Sequence, residues 1–230
     1  KEYDLGFGVL ESKARLTYRD VQDYLDGDTK AVPKVARESV DALHEVFKRL
    51  NKKRRSRGML DLDLGEAKIQ LSDDGETVKK VQSSPRWTAH RLIEECMLVT
   101  NETIADFLAS KKLPCIYRSH DMPDDDRIEQ AFQIVEDLTD LVVPHNKKRT
   151  VERIAEALRG VEGHPLQRVA SIAILKAMQR AEYSVQTEGH FGIGARRYAH
   201  FTSPIRRYAD LEVHRMLRAA LDAPSLIRPK

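Results

Sequence analysis

The residues best suited to chemistry lie near the end of the chain, where two adjacent arginines follow a serine and a proline. Ser203-Pro204 is typical of a helix start, with serine as the cap and proline at the first helical position. We therefore predict a helix from Pro204, which places Arg206 in its first turn. The backbone N–H groups of a first turn have no partner within the helix, and the helix dipole is positive there. Together with a guanidinium they would bind an anion, and phosphate is the expected ligand.

A salt bridge within the helix is the alternative for the same arginine. Arg206, Asp210 and His214 recur at intervals of four residues and share one face of the predicted helix. An exposed Arg206–Asp210 pair would stabilise the helix by only a few tenths of a kcal/mol. Spacing alone leaves both possibilities open.

A second candidate position lies on the predicted helix 85–110, which is apolar over most of its surface. His90, Glu94 and Asn101 form a polar stripe at helical spacing. Unpaired polar groups are costly to bury, so this stripe should face a partner, water or a ligand. A His90–Glu94 pair, four residues apart, is the alternative, and it is favoured over a metal site built from two such residues.

The elements that must position these residues are mostly helices. Apolar periodicity, caps and turn residues predict helices 18–26, 34–55, 85–110, 127–140, 150–159, 166–181 and one from Pro204, and strands 3–12, 67–71, 76–81 and 115–118. Thr17 and Asp20 form a variant of the capping box ahead of the first helix. We expect an α+β fold, rich in helices, with a small mixed sheet.

Composition is that of an ordinary globular chain. A net charge of +3 is too small for the field of the whole molecule to indicate a partner. No stretch approaches the roughly 18 apolar residues of a membrane span, so no membrane partner is expected. Cys96 and Cys115 lie in apolar surroundings without CxxC spacing, which predicts free thiols and a reducing, cytoplasmic location.

Four motifs resemble one known family in the same order, and the last of them consists of two neighbouring stretches. HFGIG (190–194) and YAHFTSPIRRYADLEVHR (198–215) resemble the catalytic-domain motif of the ribonuclease II / ribonuclease R (RNB) exoribonucleases. The earlier stretches are ESKARLTYRDVQDYLDG (11–27), RGMLDLDLGEAKIQL (57–71) and AHRLIEECMLVTNETIADFL (89–108). The resemblance implies that residues 1–222 are the C-terminal portion of a helix-rich RNB catalytic domain and that 223–230 are a tail or linker.

The resemblance also implies an activity. Members of the family degrade single-stranded RNA processively from the 3′ end to nucleoside 5′-monophosphates, with Mg²⁺. Flanking cold-shock-type and S1-type RNA-binding domains are expected in the full protein. The family's aspartate cluster precedes the first matching stretch, so the Mg²⁺ ligands are expected upstream and none is assigned within this chain. The alternative is a non-catalytic RNB-like RNA-binding module, or a fragment that is inactive without its upstream half.

Single residues acquire expected roles from the same resemblance. Arg206, the first arginine of SPIRRY, matches the family arginine at the scissile phosphate and is the expected catalytic residue. Tyr18 and Glu94 match residues that contact the 3′-terminal nucleotides and favour ribose, since a carboxylate can accept a hydrogen bond from a 2′-hydroxyl. Leu62 stands where the family has a base-stacking aromatic residue, so the stacking contribution is lost there. The remaining expected RNA contacts are Ser203, Arg207 and His200.

Basic residues are clustered between Lys52 and Arg57, and two explanations compete for them. The run falls at the end of the predicted helix 34–55, where cations suit the negative end of the helix dipole. This explanation is slightly favoured over a contact with RNA.

Overall fold

The chain folds into helices with two small pairs of strands. The computed structural model describes residues 2–60, 66–84, 86–143 and 149–222. The helices within these ranges are α1 (Tyr18–Leu25), α2 (Lys34–Arg57), α3 (Thr88–Ser110), α4 (Asp125–Thr139), α5 (Thr150–Gly160), α6 (Gln167–Ala177) and α7 (Tyr208–Asp222). The strands are β1 (Glu66–Leu71), β2 (Val78–Ser84), β3 (Tyr117–Ser119) and β4 (Glu182–Ser184). The predicted helix-rich α+β class is confirmed.

In the described part of the chain, two separate antiparallel pairs of strands take the place of the single small mixed sheet that was expected. β1 pairs with β2 across a turn at Asp73-Asp74-Gly75, where Gly75 has a φ of 76° that favours glycine. β3 pairs with β4, so that Arg118 lies opposite Tyr183. This second pair joins segments that are far apart in the sequence.

The prediction of a strand over residues 3–12 is wrong. Residues 2–17 have no regular secondary structure, and most of their side chains are exposed. A Cβ atom added at Gly6 or Gly8 would meet nothing within 4 Å in the described part of the chain. The apolar pattern of residues 3–12 indicated a strand, but no strand in the described chain pairs with this segment.

Local signals at the helix ends are confirmed. The Thr17 hydroxyl accepts a hydrogen bond from the Asp20 N–H at 3.2 Å, and the Asp20 carboxylate accepts one from the Thr17 N–H at 2.7 Å. This is the predicted capping box, and the bonds from Thr17 lower the pKa of Asp20. At the start of α4, the Asp124 carboxylate accepts from the N–H groups of Asp126 and Arg127 at 3.1 and 3.3 Å, so this acidic run caps a helix.

The described chain divides into two compact units. One comprises the chain up to Met59, Leu92–Met122 and the chain from Gln179 onward. One core cluster of this unit is formed by apolar side chains of α3, β3 and α7 and of the segment before α7, including Leu108, Val213 and Ala199. All the candidate site residues described below belong to this unit.

The second unit comprises Leu60–Arg91 and Pro123–Met178. There α4 packs against α6, and the side chains of Phe132 and Ile174 are fully buried. No helix in the described ranges is long and apolar enough to cross a membrane.

Candidate functional site

The arginine pair lies in a turn that precedes the last helix rather than in the helix itself. The N–H groups of Arg206 and Arg207 both donate to the Ser203 carbonyl, at 3.3 and 3.2 Å, and α7 begins only at Tyr208. The prediction of a helix from Pro204 is therefore wrong by four residues. The turn forms because the Asp210 carboxylate accepts from the Ser203 N–H at 2.7 Å, which folds the backbone before the helix begins.

One acidic side chain distinguishes the two arginines. Asp210 is completely buried, and its carboxylate accepts from Arg207 Nη2 at 2.9 Å, with Arg207 Nε 2.8 Å from the second oxygen. Arg206 is exposed and forms no ion pair or hydrogen bond through its side chain with any described residue. The alternative of an Arg206–Asp210 salt bridge is therefore wrong, because the helix starts late and the pair forms from Arg207 at a spacing of three residues. Arg206 retains an uncompensated positive charge that is suited to an anion.

The backbone that leads into this turn is held from α3. Asn101 is 1% exposed, and its side-chain oxygen accepts from the N–H groups of Phe201 and Thr202 at 3.0 and 3.2 Å. Its amide nitrogen donates to the Tyr198 hydroxyl at 2.8 Å. The expectation that the polar stripe on α3 needs partners is met here within the protein, since these bonds satisfy the buried amide.

A histidine of α7 fixes the same backbone from the other side. The His214 ring stacks on Phe201 with a centroid distance of 3.9 Å, and its Nε2 lies 2.8 Å from the Phe201 carbonyl. Asn101, Asp210 and His214 therefore hold the turn at three successive points. A turn restrained in this way presents Arg206 in a defined direction.

Part of the basic run at the end of α2 is buried rather than available to a ligand. Arg54 is 2% exposed and donates to Glu95 at 3.0 Å and to Glu102 at 2.6 Å, while Arg57 donates to Glu102 at 3.0 Å. Burial alone would lower the pKa of Arg54, but the two carboxylates outweigh it and raise that pKa. Burial likewise opposes ionisation of Glu102, and Arg57 and Arg54 outweigh it, so its pKa is lowered. Sequence reasoning missed this network.

The missed network has a signal in the sequence. Glu95 and Glu102 lie seven residues apart and Arg54 and Arg57 three apart, so each pair shares one face of its helix. Opposite charges with matching faces on α2 and α3 indicate a bridge between the two helices. The helix dipole acts on all the basic residues of this run alike, so it does not distinguish these two arginines from the exposed Lys52, Lys53 and Arg55.

A group of histidines lies beside the turn. The His120 and His190 ring centroids are 4.9 Å apart, and Tyr198 contacts both His190 and His200. Burial, followed by the charges of His120 and Arg118, lowers the pKa of His190 to about 4. Burial and the charge of Arg207 lower the pKa of His200 to about 4 as well. Both rings are therefore neutral at neutral pH.

The Gly-rich HFGIG segment packs on this group. The Gly192 N–H donates to His120 Nδ1 at 3.1 Å, and a Cβ at that position would lie 3.0 Å from the same nitrogen. The close approach of the backbone to the ring favours glycine, because a larger residue would need the His120 ring to shift. The segment contains a 3₁₀ turn, Phe191–Ile193.

We expect acid to destabilise the fold between about pH 6.5 and pH 4. An unfolded histidine titrates near 6.5, whereas the pKa values of folded His190 and His200 are about 4. In this window the unfolded state binds protons that the folded state does not, so stability is lost as the pH falls. At pH 5 the loss is up to about 2 kcal/mol for each histidine. Urea unfolding at about pH 7 and pH 5 measures this loss of unfolding free energy. Replacing His190 with glutamine should reduce the difference in unfolding free energy between the two pH values. Equal stability at both values would contradict the prediction.

The predicted site residues are only partly brought together. Ser203, His200, Arg206 and Arg207 gather at the turn, where Asp210 binds both Ser203 and Arg207. Tyr18 lies at the start of α1 with 46% of its surface exposed, and Glu94 has an exposed side chain on α3. Leu62 and the predicted tail 223–230 lie outside the described residues.

The resemblance implies Mg²⁺ ligands upstream of this chain and assigns none to its own residues. Within these ranges, no group of three or more His, Cys, Asp or Glu side chains could hold a metal ion. The buried carboxylates near the turn are engaged elsewhere, Asp210 by Ser203 and Arg207 and Glu102 by Arg54. The upstream location of the metal ligands stays a prediction.

Comparison with known proteins places the chain in a family. The family model of the RNB domain matches residues 1–223. The ribonuclease R of Aquifex aeolicus is 38% identical over 225 residues, which are 96% of this chain and 31% of that protein. The structure of Mycoplasma genitalium RNase R in complex with ribose methylated single-stranded RNA has 29% identity and a TM-score of 0.83, covering 92% of this chain and 33% of that one.

A more distant structure shares the fold. That of yeast Ssd1, a pseudonuclease, has a TM-score of 0.67 at 18% identity, covering 93% of this chain and 26% of that one. The chain thus spans between 26% and 33% of the length of these three proteins. Because the family model covers nearly every residue and the fold agrees with that of RNase R, the chain belongs to the RNB domain family.

Proposed function

We propose that the full-length gene product is a 3′→5′ exoribonuclease that hydrolyses single-stranded RNA processively to nucleoside 5′-monophosphates. The observation that carries this proposal is that only one of the two adjacent arginines is paired with a carboxylate among the described residues. Asp210 neutralises Arg207, whereas the exposed Arg206 guanidinium has no carboxylate partner among the described residues. A planar guanidinium held on a restrained turn can bind two phosphate oxygens and stabilise the charge that grows on them in the transition state. Relatives named ribonuclease R support the same activity.

The proposal extends to groups outside the described chain. We propose Mg²⁺ as the cofactor, with its ligands upstream, and cold-shock-type and S1-type domains on either side. The chain covers 31% of the Aquifex relative, so a product of similar length has room for such domains. A cytoplasmic location suits the free thiols Cys96 and Cys115, and burial raises the pKa of Cys115 to about 12.

A digestion assay tests the proposed activity. Single-stranded RNA labelled at its 5′ or its 3′ end is incubated with the full-length gene product and Mg²⁺, with EDTA as the control. We expect the 3′ label to be released first as a mononucleotide, without a ladder of intermediates from the 5′-labelled strand. RNA that is bound but never shortened would contradict the enzyme and favour the non-catalytic RNA-binding module. The fold shared with the pseudonuclease Ssd1 gives that second candidate its support.

Glu94 provides a test of substrate choice. We propose that its exposed carboxylate accepts a hydrogen bond from a ribose 2′-hydroxyl, which DNA lacks. Replacing Glu94 with alanine should lower the RNA-over-DNA ratio of kcat/KM by about 10-fold, the value of one hydrogen bond to a charged group. Matched RNA and DNA oligonucleotides of one sequence provide the measurement. An unchanged RNA-over-DNA ratio would show that Glu94 does not contribute to substrate choice.

A further inference from the structure

An exposed aromatic ring and a cation face each other across the pair formed by β3 and β4. Arg118 lies opposite Tyr183 in the register, and its guanidinium carbon is 4.8 Å from the centroid of the Tyr183 ring. The Tyr183 side chain stays 47% exposed. A guanidinium at this distance from a ring forms a cation–π contact, so the two side chains form one flat, positively charged surface.

The ring is also fixed at its polar end. The Tyr183 hydroxyl lies 2.8 Å from His200 Nδ1, and the two rings meet edge to face with a centroid distance of 5.6 Å. His200 is itself in contact with Tyr198, which Asn101 holds by a hydrogen bond. Tyr183 is therefore restrained through the same side chains that restrain the backbone before Arg206. An exposed aromatic ring that is held in place loses little conformational entropy when a second ring stacks on it.

The surroundings of the ring carry excess positive charge. Arg118 forms no ion pair with any described carboxylate, and neither does Arg206. Asp210, the buried carboxylate of this region, is already engaged by Arg207 and Ser203. After burial and the charge of Arg207, the charges of both guanidinium groups help to lower the pKa of His200, so both lie near that ring.

We propose that Tyr183 and Arg118 form a nucleotide-binding position for the RNA strand, next to the turn that carries Arg206. A base stacks on the exposed part of the Tyr183 ring, a phosphate contacts Arg118, and His200 acts as a positioning residue for the ring. Stacking on an aromatic side chain tolerates any base, and a guanidinium contributes both charge and a flat surface. This inference rests on the proposed function and assigns two RNA contacts that the sequence did not indicate.

RNA affinity measured at two salt concentrations tests the position. The probe is a fluorescein-labelled single-stranded RNA bound to the full-length gene product in EDTA, followed by fluorescence anisotropy. Tyr183→Ala should raise Kd roughly 10-fold, because the stacking of one base is lost. Tyr183→Phe keeps the ring and should stay within about threefold of the wild type. Arg118→Gln should reduce the dependence of log Kd on log salt by about one unit of slope, the loss of one phosphate contact.

Arg218 offers a matched control. Its guanidinium also lies over an aromatic ring, that of Phe7 at 5.8 Å, but Asp222 lies 3.4 Å from it. Arg218→Gln should therefore leave both Kd and its salt dependence unchanged. Circular dichroism confirms that each variant is folded. If Tyr183→Ala does not fold, the dependence of log Kd on log salt in Arg118→Gln tests the nucleotide-binding position by itself.

The outcomes separate this inference from the proposed function. Wild-type affinity and salt slope in Tyr183→Ala and Arg118→Gln, with intact RNA digestion by the wild type, would overturn the nucleotide-binding position only. A wild-type protein that neither binds nor shortens RNA would overturn the proposed function and the inference with it. Equal weakening in Arg218→Gln and Arg118→Gln would show a diffuse charge effect and would also overturn the position.

Discussion

Replacing Arg206 with alanine in the full-length gene product should lower kcat by about 100-fold or more, while the Kd for single-stranded RNA rises less than about fivefold. The reason is that no carboxylate among the described residues compensates the charge of this guanidinium. Arg207 beside it is paired with the buried Asp210, whereas Arg206 is exposed and has no carboxylate partner among the described residues. A strong donor whose phosphate contact tightens as charge develops affects the transition state more than the bound substrate. Single-turnover digestion and anisotropy measure the two quantities separately.

Two further variants sharpen the result. Arg206→Lys keeps the charge but loses the planar fork that binds two oxygens, so its kcat should fall between that of the wild type and of Arg206→Ala. Arg215→Ala is the matched control, because Arg215 is an exposed arginine on α7 that pairs with Glu212. We expect it to leave kcat unchanged. Equal losses of kcat and of affinity in Arg206→Ala would make Arg206 a positioning contact rather than a catalytic one.

Replacing Arg54 with methionine should lower the free energy of unfolding by about 3–5 kcal/mol. Methionine fills much of the same space but leaves Glu95 and Glu102 buried without the positive charge of Arg54. Removing one partner of a buried ion pair costs far more than the intact pair contributes, because the remaining charge stays desolvated. Urea unfolding of the full-length gene product, followed by helical circular dichroism, measures the change.

A neighbour in the same basic run serves as the control. Lys53 is exposed, so Lys53→Met should change the free energy of unfolding by less than about 0.5 kcal/mol. Adding Glu95→Gln to Arg54→Met should recover part of the loss, since Arg57 still compensates Glu102 whereas Glu95 has no other cationic partner among the described residues. A loss below about 1 kcal/mol in Arg54→Met would show that the network is not the bridge between α2 and α3 that we describe.

Several features could be predicted from the sequence because they depend on few neighbouring residues. The capping box at Thr17 and Asp20 and the neighbouring strands predicted at 67–71 and 76–81 appear close to where local patterns indicate them. Each is decided by hydrogen bonds or φ angles within about four residues, which a sequence pattern specifies directly. The family and the helix-rich fold class were likewise predictable, since ordered motifs over most of the chain indicate both.

Predictions that needed a partner from elsewhere in the chain failed or stayed open. The segment 3–12 has a strand-like pattern, but no described strand pairs with it. The basic run at the end of α2 was one group in the sequence, and only its packing against α3 separates the buried Arg54 from the exposed Lys53. Burial and pairing depend here on contacts between residues 41 to 48 positions apart, and the spacing within one helix does not specify which other helix it packs against.

The turn before α7 depends on both the local sequence and the tertiary structure. The sequence by itself determined that a cation lies next to a turn or helix start in the most characteristic motif of the chain. Only the tertiary structure decided which arginine is free, because Asp210 accepts from Ser203 as well as from Arg207 and delays the helix to Tyr208. Asn101, 100 residues before Phe201, then holds the preceding backbone. Charge and motif are properties of the residues themselves, whereas the direction and pairing of a side chain depend on every element packed around it.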